Sequence, residues 1–411
     1  MLLFRLLTLG ACGCLVFASL AFGQITGEIR GIVLDPSGAA VSQAKAVLKS
    51  VETGATREQQ VNAEGRFNFS LLNIGTYEVR AEAPGFRVAL TQALVKTGEV
   101  TSVQLNLEVG AVTETVTVSG AVSQLDTENA QIQTAVVGER IQDIPVGRNP
   151  NLFAMTAPGV APVSSNNPFL GSGSFNANGG RGRGNNVTVD GITATDVSVT
   201  GTGGPLGPLN FSSIKEVKVI TNNFTAEYGR NSTSQVLYIT KGGTNNLHGE
   251  AYEYFRNDKL NSRPFFDSTG KANIVRENTY GFEVGGPAFL PRIYDGRNKT
   301  FWHVAYEGYK RRGAGATRIA RVPTPAMAAQ VTDASTKALV DGYKLPTSPS
   351  GSIETQAPNS ADTYQLSVRA DQQIGANDTL WGRYSRYKST AASSGLTFIG
   401  SNLPGFGARS A

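Results

Sequence analysis

The 411-residue sequence predicts an exported, mainly β protein with two or three domains. Three observations lead to this expectation. The chain begins with a short basic and apolar segment that is typical of a secretory signal peptide. Turn-forming residues then separate short runs of alternating residues at intervals of about 8 to 12 residues, as in a β-sandwich. Farther along, aromatic-rich runs alternate between apolar and polar residues, which is the pattern of transmembrane β-barrel strands.

The predicted signal peptide covers residues 1–23. Arg5 supplies a positive charge, residues 6–20 are almost continuously apolar, and Ala21 and Gly23 are small enough for signal peptidase to cleave after Gly23. The apolar run is too short for a good membrane-spanning helix. We therefore expect a cleaved leader and a mature chain outside the cytoplasm.

Both cysteines, Cys12 and Cys14, lie within the leader, so the mature chain is expected to contain none. An alternative interpretation has Cys12 as a lipoprotein cleavage site. That cleavage would leave the strongly apolar residues 15–20 at the mature N-terminus, so we favour the first interpretation.

Composition excludes some classes of function. The formal net charge of +5 is spread thinly, and the basic triplet Lys310, Arg311 and Arg312 is the only visible cluster. Nucleic-acid binding usually requires a basic stripe, so no nucleic-acid partner is expected, and we interpret the triplet as a solvated loop beside a strand end. Because no run after the leader approaches a transmembrane helix, any membrane-embedded part must be a β-barrel.

The first folded block spans residues 24–109 and predicts an all-β sandwich, because turn signals separate about seven short strand-like runs. These runs are residues 28–34, 44–50, 56–61, 66–71, 77–83, 87–95 and 101–107.

Four motifs in this block resemble the carboxypeptidase regulatory-like domain in their order and spacing: residues 31–41, 62–67, 75–80 and 83–86. The resemblance implies a prealbumin-like or carbohydrate-binding-like sandwich and no peptidase activity. We expect a rigid periplasmic spacer or docking module. A glycan-binding site is the alternative, by analogy of fold alone.

A candidate TonB box follows the sandwich. It resembles the extended segment by which outer-membrane transporters are bound from the periplasm, and it consists of Glu114, Thr115, Val116, Thr117 and Val118. β-branched residues with a free backbone can add as a strand to the sheet edge of a partner. The implied partner is a periplasmic TonB-type coupling protein. A final sandwich strand would have the same pattern, and this alternative stays open.

Residues 121–243 resemble a plug domain, which implies an α+β fold that fills a barrel. The resemblance rests on residues 138–149, 186–191, 214–220, 222–230 and 236–245. Within these motifs, Asp190 and Gly191 are expected to close a turn after a strand, and a strand is expected to end at Lys241 and Gly242. The remaining plug-motif residues are Tyr228 and Gly229.

Glycine-rich stretches at residues 171–174, 179–184 and 201–205 resemble phosphate-binding loops only superficially, because no GxxxxGK[ST] motif or strand–loop–helix frame surrounds them. We expect flexible plug loops that face the barrel lumen. On charge alone, Arg181 and Arg183 are candidates for lining a substrate path.

The last block, residues 244–411, is expected to supply the first strands of a transmembrane barrel. Residues 247–257 and 261–267 resemble the opening of Oar-like barrels, and residues 311–361 are expected to form a long extracellular loop. Alternation is clearest in three runs, for which Tyr280, Phe282 and Val284, then Trp302, Val304 and Tyr306, then Tyr364, Leu366 and Val368 form the apolar sides.

Residues 248–256 and 378–387 add two further strands, giving about five, whereas plugged transporters use about 22. Residues 405–411 are loop-like. We therefore expect the sequence to be part of a longer protein.

Catalysis has little support. His248 and His303 are far apart in sequence, the mature chain lacks cysteine, and neither an HExxH motif nor a G-x-S-x-G elbow in its structural frame occurs. His303 and Glu307 share one face of a predicted strand, and we interpret them as a barrel-wall pair. No catalytic, metal or cofactor site is expected, and the protein is not expected to be an enzyme.

Two hypotheses remain. In the first, an outer-membrane TonB-dependent receptor takes up an extracellular substrate of unknown identity by plug movement coupled to the periplasmic partner. In the second, the same architecture serves adhesion or glycan binding without active uptake. Both hypotheses place the protein in outer-membrane lipid.

Overall fold

The computed structural model describes residues 26–110, 115–117, 130–138, 140–144, 148–162, 175–195, 209–225, 228–229, 232–262, 274–313, 318–342, 347–355, 359–375 and 378–393. The predicted leader with its lipoprotein alternative, Glu114, Val118 and residues 405–411 lie outside these ranges. The chain forms two compact units: residues 1–248, 285–303 and 369–383, and residues 249–284, 304–368 and 384–411.

The N-terminal block is a sandwich of two sheets, as predicted. One sheet has the order β4-β1-β7 and the other the order β3-β2-β5-β6-β8. Strand β1 pairs with β4 antiparallel and with β7 in parallel. The strands are β1 (Thr26–Leu34), β2 (Lys45–Ser50), β3 (Thr56–Gln60), β4 (Arg66–Asn73), β5 (Gly75–Glu82), β6 (Val88–Val95), β7 (Val100–Asn106) and β8 (Thr115–Thr117).

Alternation of side chains builds the sandwich core. In β4, Phe67 and Phe69 are buried between exposed neighbours, and in β5 the buried positions include Tyr77 and Val79. Because successive residues of a strand point to opposite faces, these apolar side chains meet in the layer between the sheets. The rings of Phe67 and Phe69 are 5.8 Å apart, within the range of favourable aromatic pairs.

The plug block is α+β, as predicted, and is built on a five-stranded sheet of order β13-β12-β15-β14-β9. Only β12 and β15 pair in parallel; the other neighbours are antiparallel. Its elements are β9 (Ile132–Val137), α1 (Arg140–Asp143), a 3₁₀ turn (Pro150–Thr156), β10 (Val160–Pro162), β11 (Phe175–Ala177), β12 (Asn185–Val189), β13 (Ile192–Thr193), β14 (Ile214–Asn222) and β15 (Ser234–Thr240).

The core of the plug lies around β12, β14 and β15. All seven residues of β15 are buried, which is the burial of a strand covered on both faces. Phe153 of the 3₁₀ turn stacks on Phe211 at 5.6 Å, and Tyr238 of β15 donates its hydroxyl hydrogen to the backbone oxygen of Pro150. The short helical segments are thereby fixed against the sheet.

The barrel block contains a five-stranded sheet of order β16-β17-β20-β23-β24. Its strands are β16 (His248–Asn257), β17 (Val275–Pro287), β20 (Thr300–Gly313), β23 (Asn359–Ile374) and β24 (Asp378–Ser393), and the short strands β18 (Phe289–Leu290) and β19 (Tyr294–Asp295) form a hairpin between β17 and β20. In β20, His303, Ala305 and Glu307 are buried while Trp302, Val304 and Tyr306 are partly exposed, which confirms the predicted alternation.

The basic triplet lies in β20 and not in a loop, so that prediction was wrong. Arg311 contacts Glu277 of β17 at 3.3 Å, and Arg312 makes two contacts of 2.8 Å with Asp362 of β23. These cross-strand ion pairs favour continuation of β20 to Gly313.

The segment predicted as one long loop also contains regular structure. It carries a hairpin of β21 (Arg318–Arg321) and β22 (Ser352–Thr355), with helices α2 (Pro325–Ala329) and α3 (Ala334–Gly342) between them. Thr324 accepts a hydrogen bond from the backbone N–H of Met327 and Pro325 occupies the first turn, so the start of α2 is capped. Asp333 caps the start of α3 in the same way by accepting from Thr336.

Among the described residues, no helix is both long and apolar enough to cross a membrane.

Candidate functional site

Asp190 and Gly191 form the tight turn between β12 and β13, as the sequence predicted. Val189 pairs with Ile192, which leaves a two-residue turn, and both turn residues have positive φ, 49° and 79°. Asp and Gly are the residues that tolerate this conformation in such hairpins. The turn places the Asp190 side chain in the interior, where it is fully buried.

The Asp190 carboxylate is anchored to the end of β15. It accepts a hydrogen bond from the backbone N–H of Thr240 at 2.8 Å and another from the Thr240 hydroxyl at 2.8 Å. Hydrogen bonds to a carboxylate are stronger than those between neutral groups. The neighbouring strands β12 and β15 are therefore joined at this point by a charged side chain.

Two arginines from the barrel strands reach the same carboxylate. Arg383 of β24 lies 2.9 Å from Asp190 through its Nε, and Arg369 of β23 lies 3.4 Å away through Nη1. Arg369 also donates to the backbone oxygen of Thr240, pairs with Asp371 at 2.8 Å and stacks on Trp381. We call Asp190, Thr240, Arg369, Asp371 and Arg383 the latch cluster.

The latch cluster balances its charges, with two carboxylates, Asp190 and Asp371, against two guanidinium groups, Arg369 and Arg383. Taking a charge out of water costs several kcal/mol, and removing one partner from a buried pair typically costs about 3 to 5 kcal/mol. The four charges therefore stabilise one another. Removing one of them leaves its partner buried without a counter-ion.

Gly242 and Gly243, next to the latch cluster, allow the plug backbone to approach the barrel strands. A Cβ on Gly243 would lie 2.4 Å from the Trp302 oxygen and 2.7 Å from the Gly286 oxygen. A Cβ on Gly242 would lie 2.9 Å from Asp371. The preceding Lys241 donates its backbone N–H to Ser213, so the strand ends where the sequence predicted.

The other plug-motif residues lie elsewhere. Tyr228 and Gly229 occupy a separate turn in which the Tyr228 N–H donates to Thr225. Arg181 precedes the 3₁₀ turn Gly182–Gly184 and is exposed. The side chain of Arg183 falls outside the described residues, so the suggested lining of a substrate path remains a prediction.

The described part of the candidate TonB box is already paired. Thr115, Val116 and Thr117 form β8, which adds in parallel to β6 at the edge of the sandwich sheet, opposite Val88 to Leu90. The backbone groups that would pair with a partner sheet on this side are occupied by β6.

A second polar contact joins the sandwich to the plug at Glu52. Lys215 of β14 contacts the Glu52 carboxylate at 2.5 Å and donates to the backbone oxygen of Ile74 at 2.9 Å. Asn245 donates to the backbone oxygen of Thr53 at 2.7 Å. These bonds hold the turns at one end of the sandwich against the plug and the chain that follows it.

A third contact is buried. The backbone N–H of Thr97, in the turn between β6 and β7, donates to Glu216, and Lys218 donates to the backbone oxygen of Thr97 at 2.5 Å. Glu99 lies 3.6 Å from Lys218. Burial raises the pKa of Glu216 to about 7, and the nearby Lys218 ammonium opposes this effect without outweighing it.

His303 and Glu307, the predicted barrel-wall pair, are both buried residues of β20. Glu307 accepts a hydrogen bond from the hydroxyl of Tyr252 at 2.8 Å, an ordinary contact between strands of the barrel wall. In the described ranges, no three His, Cys, Asp or Glu side chains are grouped so that they could hold a metal ion.

Comparison with known protein families agrees with this architecture. A model of the carboxypeptidase regulatory-like domain matches residues 28–108. A model of the TonB-dependent receptor plug domain matches residues 126–236. A model of the outer membrane beta barrel domain matches residues 239–410.

Individual relatives are distant and longer. The TonB-dependent transporter Oar of Myxococcus xanthus is 24% identical over 294 residues, which are 68% of this chain and 27% of the relative. The siderophore receptor PirA from Acinetobacter baumannii has a TM-score of 0.40 and 16% identity, over 64% of this chain and 32% of that chain. The ferric enterobactin receptor PfeA from Pseudomonas aeruginosa, crystallised as a mutant, has a TM-score of 0.40 and 14% identity, over 65% and 34%.

Proposed function

We propose that this chain works in substrate uptake across the outer membrane. The premise is that it carries the regulatory-like, plug and outer-membrane barrel domains of a TonB-dependent receptor. Because the chain covers 27% of the transporter that it resembles, uptake is proposed for the protein as a whole. The role is transport and not catalysis. We retain as part of the proposal a leader of residues 1–23, a sandwich of 24–109, a linker of 110–120, a plug of 121–243 and barrel strands from residue 244.

The latch cluster is the observation that carries this proposal. Asp190 of the plug is buried against Arg369 and Arg383 of the barrel strands. Separating these charges would leave each of them buried without its counter-ion, and a buried charge without a counter-ion costs several kcal/mol. A plug held in this way stays closed by itself and opens only when another process supplies energy.

A route for that energy starts at β8. A pull on Thr115 to Thr117 would reach the plug through the linker and arrive first at β9, the edge strand that pairs with β14. An edge strand has hydrogen-bonded neighbours on one side only, so it is the strand that can be peeled from the sheet with the fewest broken bonds. We infer that β9 moves before the latch cluster opens.

The proposed partner is a periplasmic coupling protein that receives residues 114–118 as an added strand. Strand addition needs backbone groups that are free to pair. In the structure the strand β8 occupies the edge of β6, so the coupling protein would compete with the sandwich for the same segment.

Deletion of Glu114 to Ser119 from the full-length protein tests the proposal. We expect loss of growth in a strain that depends on this receptor, with unchanged amounts of protein in the outer membrane. Deletion of six exposed residues elsewhere, in the segment that contains α3, is the matched control. Unchanged growth after the first deletion would leave adhesion or glycan binding without active uptake as the better hypothesis.

A further inference from the structure

Alternation along β23 and β24 defines which side of the barrel strands faces away from the plug. Arg369 and Asp371 of β23 and Arg383 of β24 belong to the latch cluster and therefore point to the plug. Residues at odd separations from them point to the opposite face. Ile374 and Leu380 are such residues, and they are 55% and 64% exposed.

The hairpin of β18 and β19 exposes more apolar surface at the same end of the strands. Its residues 288–299 connect β17 to β20, and Ile293 at its turn is 82% exposed. Phe289, Leu290 and Tyr294 are also exposed, at 49%, 57% and 40%. Four large apolar or aromatic side chains within six residues form a patch that a water-soluble surface rarely presents.

A chain of hydroxyl contacts places Tyr294 of this hairpin on the face that points away from the plug, while Asn298 at the other end of the hairpin is hydrogen-bonded to Asn245. The hydroxyl of Tyr294 is hydrogen-bonded to that of Thr300 at 2.5 Å, and Thr300 donates to Gln372 at 2.6 Å. Thr300 precedes the buried Phe301, and Gln372 follows Asp371, so both lie on the outer face. Tyr294 is therefore on the side of Ile374 and Leu380.

Positive charges accompany the apolar side chains of the hairpin. Residues 288–299 contain Arg292, Arg297 and Lys299 and a single carboxylate, Asp295. The guanidinium of Arg297 lies 5.3 Å from the ring centroid of Phe289, so a positive charge and an aromatic side chain are adjacent on this hairpin. Segments that lie at a membrane interface typically combine apolar and aromatic side chains with arginine and lysine.

We propose that residues 288–299 form an interfacial anchor in the phospholipid leaflet on the periplasmic side of the outer membrane. Ile293 and its apolar neighbours enter the acyl-chain boundary, while Arg292, Arg297 and Lys299 contact lipid phosphates at the surface. The anchor is continuous with the outer face of the strands at Ile374 and Leu380, so the same lipid covers both. The inference rests on the proposed membrane placement of the barrel strands.

A spin label at Ile293 tests the anchor in the full-length protein, in a cysteine-free background and in vesicles of phosphatidylethanolamine and phosphatidylglycerol. The measurement is the collision of the label with oxygen, which partitions into lipid, and with a water-soluble nickel chelate. We expect Ile293→Cys to lose access to the chelate and keep access to oxygen. Leu380→Cys is the control for the lipid-facing strands, and Leu71→Cys, at a sandwich residue that is 71% exposed, is the control for water.

The controls separate the two proposals. In the first outcome, the label at Ile293 collides with the chelate as freely as the label at Leu71, while the label at Leu380 collides with oxygen. This result overturns the anchor and leaves the proposed membrane placement of the barrel strands intact. Labels at both Ile293 and Leu380 that meet the chelate freely overturn both. A label at Ile293 that is shielded from both reagents indicates a protein contact and also overturns the anchor.

Charge reversal tests the cationic part of the anchor. In the Ile293-labelled protein, Arg292→Glu combined with Arg297→Glu is expected to increase access of the chelate, because the carboxylates are repelled by lipid phosphates. Unchanged access would contradict the assignment of these arginines to the lipid surface.

Discussion

The carboxylate of Asp190 lies 2.9 Å from Nε of Arg383, and this contact joins the plug to a strand of the barrel wall. The same carboxylate receives two hydrogen bonds from Thr240. One buried side chain therefore ties a plug turn, the end of a plug strand and a barrel strand together.

Replacement Asp190→Asn keeps the size of the side chain and removes its charge. We expect the closed junction to lose about 3 to 5 kcal/mol, because Arg369 and Arg383 then lack their shared buried counter-ion. Hydrogen exchange of the Thr240 amide, which donates to Asp190, measures the effect. Asp143→Asn, at an exposed position of α1, is the control, and equal exchange in the two variants would contradict the latch.

Replacement Gly243→Ala tests the close approach of the plug to the barrel strands. The new Cβ would lie 2.4 Å from the Trp302 oxygen, so backbone must move, at a cost of about 1 to 3 kcal/mol. Thermal unfolding of the full-length protein should occur at a lower temperature. Gly229→Ala, for which the added Cβ meets no atom of the described residues within 4 Å, should leave it unchanged, and an equal effect of both would count against a tight junction.

Glu216 should make the contact between sandwich and plug depend on pH. Its pKa is raised by burial to about 7, above the ordinary value of 4.5. The folded state then holds a proton that the unfolded state has lost, so stability falls as pH rises from about 4.5 to about 7. The charged groups that face it are Lys218, on its own strand, and Glu99, beyond the turn that contains Thr97.

Thermal unfolding at several pH values measures this dependence. Glu216→Gln is expected to flatten the curve between about pH 5 and 7, whereas Glu64→Gln, at an exposed turn of the sandwich, should keep the wild-type slope. A slope that survives in Glu216→Gln would assign the dependence to another group.

A disulfide between β6 and β8 should block coupling. Ala89 and Val116 are partners in the parallel backbone register of β6 and β8, so Ala89→Cys with Val116→Cys places two cysteines on adjacent strands. Oxidation is expected to prevent crosslinking of residues 114–118 to the coupling protein, and a reductant should restore it. Crosslinking that is insensitive to oxidation would show that β8 need not leave the sandwich.

Much of the fold followed from local patterns. The sandwich strands were predictable because turn residues and alternating burial, as in Phe67 and Phe69, repeat at short intervals. The Asp190 turn was predictable because an Asp-Gly pair after a strand favours positive φ at both positions. These features depend on neighbouring residues in the chain.

The latch partners were harder to predict because they depend on distant pairing. Arg369 directly follows Val368, in a run predicted as an alternating strand, but its contact with Asp190 joins residues 179 positions apart. The charges of Arg311 and Arg312 suggested a solvated loop, although cross-strand carboxylates place them in β20. Helices α2 and α3 do carry a local signal, the capping residues Thr324 and Asp333, within a segment whose composition is typical of a loop.

Photocrosslinking at Val116 shows whether the segment between sandwich and plug reaches a periplasmic partner. A photoreactive residue is placed there in the full-length protein, and adducts are measured in energised cells and in cells treated with a protonophore. We predict an adduct with the coupling protein that decreases when the membrane is de-energised, and no such adduct from the exposed sandwich position Leu71. Equal adduct yields from Val116 and Leu71, or none from Val116, would contradict energy coupling through residues 114–118.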